Sequence, residues 1–201
     1  MSSVSNVTAA QLSNAAYTSL ADYQAASETG DIPSGVPEGW VPALQYSNYG
    51  TNPDGSPDTN NQFITFINTS GDTPQVMIVF KGTDNIPNAA SDMENAGGQA
   101  WDSINPNAQA ALAAINEAIQ TDPLLAGAEI NTDGHSLGGG MAQSFALENN
   151  LSGYGQNALP ISSTALNEQM PNSTSTLADK VKGVSFAFNF PKPCHVAHAL
   201  N

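Results

Sequence analysis

Apolar and polar positions alternate along the chain in two periods, and the changes from one to the other divide it into helix-like and strand-like stretches. Between residues 8 and 27, Ala9, Leu12, Ala16, Leu20 and Tyr23 recur at helical spacing, and Thr8 with Gln11 three residues later makes a capping box, so one helix is predicted there. Residues 30–57 are rich in Gly, Pro, Asn and Ser with Trp40, Tyr46 and Tyr49 set among them, which reads as loop or short strand packed on a core. FITFIN (63–68) and VMIVFK (76–81) are β-branched and aromatic runs separated by the turn sequence TSGDTP, and together they predict an antiparallel hairpin. The second run is almost wholly apolar, as in a strand covered on both faces.

Farther on, Asn105-Pro106 reads as an N-cap with proline in the first turn, followed by the stripe Ala111, Leu112, Ile115 and Ile119. A short strand over 128–132 leads into a helix over 136–149 with Leu137, Met141, Phe145 and Ala146 inward. Residues 150–178 read as polar loop, and VKGVSFAFN (181–189) as a last strand. Strands alternating with helices indicate a single α/β domain over residues 1–201, with a largely parallel sheet flanked by helices. Residues 190–201 form an atypical tail.

Composition narrows the function. The 201-residue chain carries 18 acids against four lysines and no arginine, a formal net charge of -14. Such a chain is repelled by phosphate backbones and lacks the forked donor that grips them, so no nucleic acid is expected as partner. The start MSSVSNVTAAQ has neither a basic segment nor a long apolar run, and no stretch is long enough to span a bilayer. A soluble protein is expected, either cytoplasmic or exported without a cleaved signal. Cys194 is the sole cysteine, which leaves no intrachain disulfide.

The candidate chemistry lies in NTDGHSLGGG (131–140). Ser136 stands between Gly134 and Gly138 where the predicted strand gives way to the predicted helix, a junction at which a sharp turn lifts the hydroxyl above the sheet. The helix directs its unpaired N–H groups, Leu137 first, at the place where an oxyanion would form. A second donor is offered by IVFKGTD (78–84), in which a buried strand breaks at Gly82 and leaves Thr83 at its C-terminal end, the end at which open α/β sheets bind ligands.

GHSLGG after a strand, with an upstream apolar strand ending in Phe-Lys-Gly-Thr, resembles the class 3 or fungal-type lipases of the α/β-hydrolase superfamily over roughly residues 8–189. The resemblance implies an ester-cleaving enzyme without a metal or other cofactor, acting on a lipid or small-molecule ester. Ser136 would be its nucleophile, and Thr83 with the Leu137 N–H its oxyanion hole. The sequence departs from the family at Lys81, where arginine is common, and at Gly140, where alanine is usual.

A serine of this kind needs a base and an acid, in chain order Ser, Asp or Glu, then His. In the family both lie well beyond the strand that matches VKGVSFAFN, whereas Asn201 is twelve residues past Asn189. His195 and His198 are the candidate bases, and His135, inside the motif, is expected to turn away into packing. Among the acids, Glu148 would stand about 18 Å from Ser136 along its helix and Asp179 at the opposite end of the sheet, about 25 Å away, which leaves Glu168. Cys194, His195 and His198 also form a loose metal-ligand cluster without a fourth donor. A shortened hydrolase lacking the last strands of the full fold is therefore expected. The alternative is a weakly active or inactive module that acts in binding or assembly, forming a homo-oligomer through an open sheet edge.

Overall fold

The computed structural model describes residues 4–51, 57–83 and 89–158. Its elements, in chain order, are α1 (Asn6–Ala15), α2 (Leu20–Thr29), β1 (Trp40–Pro42), β2 (Asn48–Thr51), β3 (Pro57–Asn68), β4 (Gln75–Phe80), α3 (Ala89–Thr121), β5 (Glu129–Gly134), α4 (Leu137–Asn149) and β6 (Ser152–Gly153).

The strands form one sheet in the order β1-β3-β4-β5-β6, with β2 also paired to β3. The predicted hairpin is present, antiparallel from Phe63 opposite Phe80 to Asn68 opposite Gln75. The largely parallel sheet is corrected to a mixed one: β1, β2 and β4 all run antiparallel to β3, while β4–β5 and β5–β6 are parallel. Among the described residues parallel pairing appears only where a helix supplies the crossover, α3 between β4 and β5 and α4 between β5 and β6.

Every residue of β4 is buried, as its apolar run predicts. Val76, Ile78 and Phe80 face a core made with Ile104, Leu112 and Ile115 of α3 and Met141 and Phe145 of α4, while Met77 and Val79 face a second core with Leu12, Ala15 and Tyr23. Helices therefore cover both faces of the sheet. On the α3/α4 side the Phe80 ring lies 5.7 Å from Phe63, 5.5 Å from Phe145 and 6.3 Å from Trp101. Phe80→Ala removes the centre of this cluster, and urea denaturation is expected to show a loss of about 3–5 kcal/mol.

Three expectations change. The single helix over 8–27 is two, because Ser19 caps a new helix by accepting the Asp22 N–H at 3.2 Å, just as Ser5 accepts that of Thr8 at 3.0 Å. Asn105 is no N-cap: α3 runs through Pro106 from Ala89. The apolar stripe continues upstream through Trp101 and Ile104, both packed in the core, and that burial offsets the hydrogen bond that proline removes. The stretch read as polar loop from residue 150 contains β6 and a bridge from His135 to Gln156. The expected strand at 181–189, the tail and the open edge lie outside the described residues.

Candidate active site

Between the end of β5 at Gly134 and the start of α4 at Leu137 the chain has two residues in which to reverse its direction, His135 and Ser136. Ser136 takes φ 56° and ψ -122°, one of three non-glycine residues with positive φ among those described. Such a conformation costs a non-glycine residue about 1–3 kcal/mol and persists only where its surroundings hold it. Here the Ser136 N–H donates to the Gln156 carbonyl at 3.0 Å, and the Gly140 N–H donates to the Ser136 carbonyl at 3.3 Å.

The flanking glycines are required by contact. A Cβ on Gly134 would run into the Gly138 carbonyl, and one on Gly138 would run into the Phe80 carbonyl oxygen at the end of β4. The turn is therefore pressed against the neighbouring strand. Gly82, just past that strand, is equally confined, since a Cβ there would meet the Tyr17 hydroxyl and, at 2.5 Å, the His135 carbonyl oxygen. The two sequence motifs thus come together at one edge of the sheet. Leu137, as the first helical residue, has an N–H with no intrahelical acceptor.

Thr83 is half-buried and lines a cavity of about 580 Å³ together with Tyr17, His135 and Gln156. His135 does not turn away into packing as expected. It stays partly exposed on the cavity wall, with Nδ1 3.2 Å from the Tyr17 hydroxyl and its ring edge-on to the tyrosine. Lys81 is buried, and its Nζ donates to Gln62 Oε1 at 3.2 Å while lying 5.7 Å from the centroid of the Tyr17 ring. Tyr17 follows α1, so a segment more than sixty residues upstream of the oxyanion motif packs on it. No signal in the sequence identified Tyr17 or Gln156, because their roles rest on tertiary contacts, Tyr17 with His135 across 118 residues and Gln156 with the Gly134–Ser136 turn across about twenty.

Nor does a local sequence signal mark Asp133. It is fully buried on β5, where Oδ2 accepts the Ser13 hydroxyl at 2.8 Å and Oδ1 accepts the Gly134 N–H at 2.8 Å. Burial pushes its carboxyl up to about 8, while the bonds from Ser13 and Gly134 lower it. An acid held above its unfolded value near 4 binds its proton more tightly in the folded state. The resulting stability is full below about pH 4 and is lost as pH rises toward 8. Unfolding free energies from urea titrations between pH 4 and 9 are expected to fall in the wild type, by up to about 1.4 kcal/mol per pH unit, and Asp133→Asn to flatten that slope.

Glu148 is exposed near the end of α4 and accepts from Asn105 Nδ2 at 3.2 Å, which ties α4 to α3 at a distance from Ser136. The candidate bases His195 and His198, the acids Glu168 and Asp179, and Cys194 lie outside the described residues. Among the described residues no group of three His, Cys, Asp or Glu side chains is placed to hold a metal ion, and no helix is long and apolar enough to cross a membrane.

Comparison with curated proteins gives no match. A family model does match over residues 8–189, nearly the whole chain, and by that match the chain belongs to the Tle-like phospholipase domain family, a family of phospholipase-like, lipid-ester-hydrolysing domains.

Proposed function

We propose that this domain cleaves carboxylic esters of lipids through an acyl-enzyme on Ser136, within an α/β-hydrolase fold of the kind class 3 lipases use. The observation that carries this reading is the positive-φ turn at Ser136, held between β5 and α4 against the end of β4. Ser136 Oγ attacks the ester carbonyl carbon as a base takes its proton, and either His195 or His198 is the base. The oxyanion accepts from the Leu137 N–H and from Thr83, with the N-terminus of α4 adding the positive end of its dipole. Collapse of the tetrahedral intermediate expels the alcohol, and water then attacks the acyl-enzyme to release the acid.

Fluorophosphonate labelling combined with product analysis on a phosphatidylcholine tests the scheme. Wild type is expected to take up the probe at Ser136 and to release fatty acid and lysophospholipid. Release of a phosphorylated headgroup, or labelling that survives Ser136→Ala, would overturn it. A folded protein with neither labelling nor turnover would favour the non-catalytic module.

A further inference from the structure

One wall of the cavity beside the turn is α1. Ala10, Ser13 and Asn14 line it, and Tyr17 follows two residues past the end of the helix. This helix is held by little apolar surface. Its buried apolar residues are Ala9, Leu12 and Ala15, whereas α3 and α4 bury Ile104, Leu112, Ile115, Met141 and Phe145 on the other face of the sheet. Small side chains remove little area from water, so polar contacts decide how firmly α1 sits. The Tyr154 hydroxyl donates to the Val4 carbonyl at 2.6 Å, the Tyr23 hydroxyl to the Ala15 carbonyl at 2.7 Å, and the Ser13 hydroxyl to Asp133 Oδ2 at 2.8 Å. Ser13, 2% exposed, thus touches both the cavity and a carboxyl that has no exposure at all. Moving α1 aside is the short way to bring that carboxyl to water.

α1 and β4 bring no titratable side chain toward Asp133. Tyr23, Tyr49 and Tyr154 pack in the core that Val79, its partner on β4, shares, and burial raises all three phenols, so they stay neutral where a carboxyl titrates. Glu129, at the far end of β5, accepts from Gln75, Lys81 donates to Gln62, and His135 is bonded to Tyr17. Burial raises the Asp133 carboxyl to about 8, against the lowering bonds from Ser13 and Gly134. The main cost of ionisation is thus the lack of water, which an open α1 supplies.

We infer that the Ser13–Asp133 bond is a proton-operated latch for α1: the helix closes the cavity wall while Asp133 carries its proton and is released as the carboxyl ionises. This does not depend on the ester-hydrolase reading. A carboxyl uncovered by an open α1 titrates near 4, so the closed form binds the proton more tightly. Closure is therefore firmest below about pH 4 and is lost as pH rises toward 8, opening growing up to about tenfold per pH unit and levelling off beyond. Because Tyr17 follows α1 and abuts Gly82 and His135, the same movement loosens the cavity wall beside Ser136.

Hydrogen exchange of the full chain from pH 5 to 9, with rates corrected for the intrinsic effect of pH, reads the latch directly. In the wild type the amides of α1 are expected to be at least about tenfold less protected than those of β4, as a locally opening element is. Their protection is expected to fall by at least about tenfold between pH 5 and 8 and then to level off. Asp133→Asn keeps a hydrogen-bonding group of the same shape but cannot ionise, and it is expected to hold α1 equally well at every pH. Ser13→Ala cuts the latch from the other side and is expected to lower the protection of α1 at pH 5 by about tenfold. Amides of α1 as well protected as those of β4 would mean that the helix opens only when the whole fold does, which would overturn the inference. A wild-type pH slope persisting in Asp133→Asn, or unchanged protection in Ser13→Ala, would overturn it as well. Exchange needs no turnover, so failure of the ester-hydrolase reading is seen separately, as turnover that persists in Ser136→Ala.

Discussion

Replacing Ser136 by alanine is expected to lower turnover of lipid esters by about 10⁴-fold or more, since a lost nucleophile leaves only the contribution of binding and of the oxyanion donors. A second substitution makes the result specific to the geometry. Ser136→Gly also removes the hydroxyl, but glycine adopts φ 56° and ψ -122° with little strain. Its urea midpoint is therefore expected to rise, corresponding to about 1 kcal/mol or more of added stability relative to Ser136→Ala. Inactive but stabilised protein is the signature of a residue kept in an unfavourable conformation for its chemistry. If the glycine variant were no more stable than the alanine variant, the turn would be relaxed, and the case for a nucleophile at this position would lose its main support.

Gly138→Ala is expected to be the most damaging single methyl group that can be added near the site. The new Cβ would collide with the Phe80 carbonyl oxygen and stand 2.8 Å from the Lys81 carbonyl carbon. Both are backbone atoms, at the end of β4 and just past it, so no side-chain rotation relieves the contact. Either α4 must lift from β4 or the strand must shift, and a loss of at least about 3 kcal/mol is expected by urea denaturation. Gly71→Ala, in the turn between β3 and β4 where a Cβ would meet only the Thr73 carbonyl oxygen at an ordinary 3.8 Å, is the control and is expected to change stability by less than about 0.5 kcal/mol. Equal effects of the two substitutions would mean that the elbow is not pressed against the strand as described.

The site depends on close backbone approach more than on side-chain bonds. Gly82, Gly134 and Gly138 each lack room for a methyl group, and together they bring the end of β4, the turn and the start of α4 into direct contact. Beside it Lys81 is buried, its Nζ donating to Gln62 Oε1 and lying 5.7 Å from the centroid of the Tyr17 ring.

The hairpin β3–β4, the burial of β4 on both faces, the strand–turn–helix around Ser136 and the glycine pattern that marks it are all legible in the order of residues. These follow from period-2 and period-3.6 patterns and from glycines a few residues apart, and such local signals survive without knowledge of the fold. Propensity was misled at residues 8–27, where a continuous helical stripe hid the Ser19 cap, and at Pro106, where a proline that usually starts a helix lies inside one because Trp101 and Ile104 extend the buried face. The mixed direction of the sheet, the docking of Tyr17 on Gly82 and His135, the Ser13–Asp133 bond and the Gln156 clamp on Ser136 were decided only by the tertiary structure. Ser13 and Asp133 are 120 residues apart, and Tyr17 and His135 are 118 apart. Contacts of that separation leave no periodicity in the chain, since they arise when helices close over the two faces of a sheet.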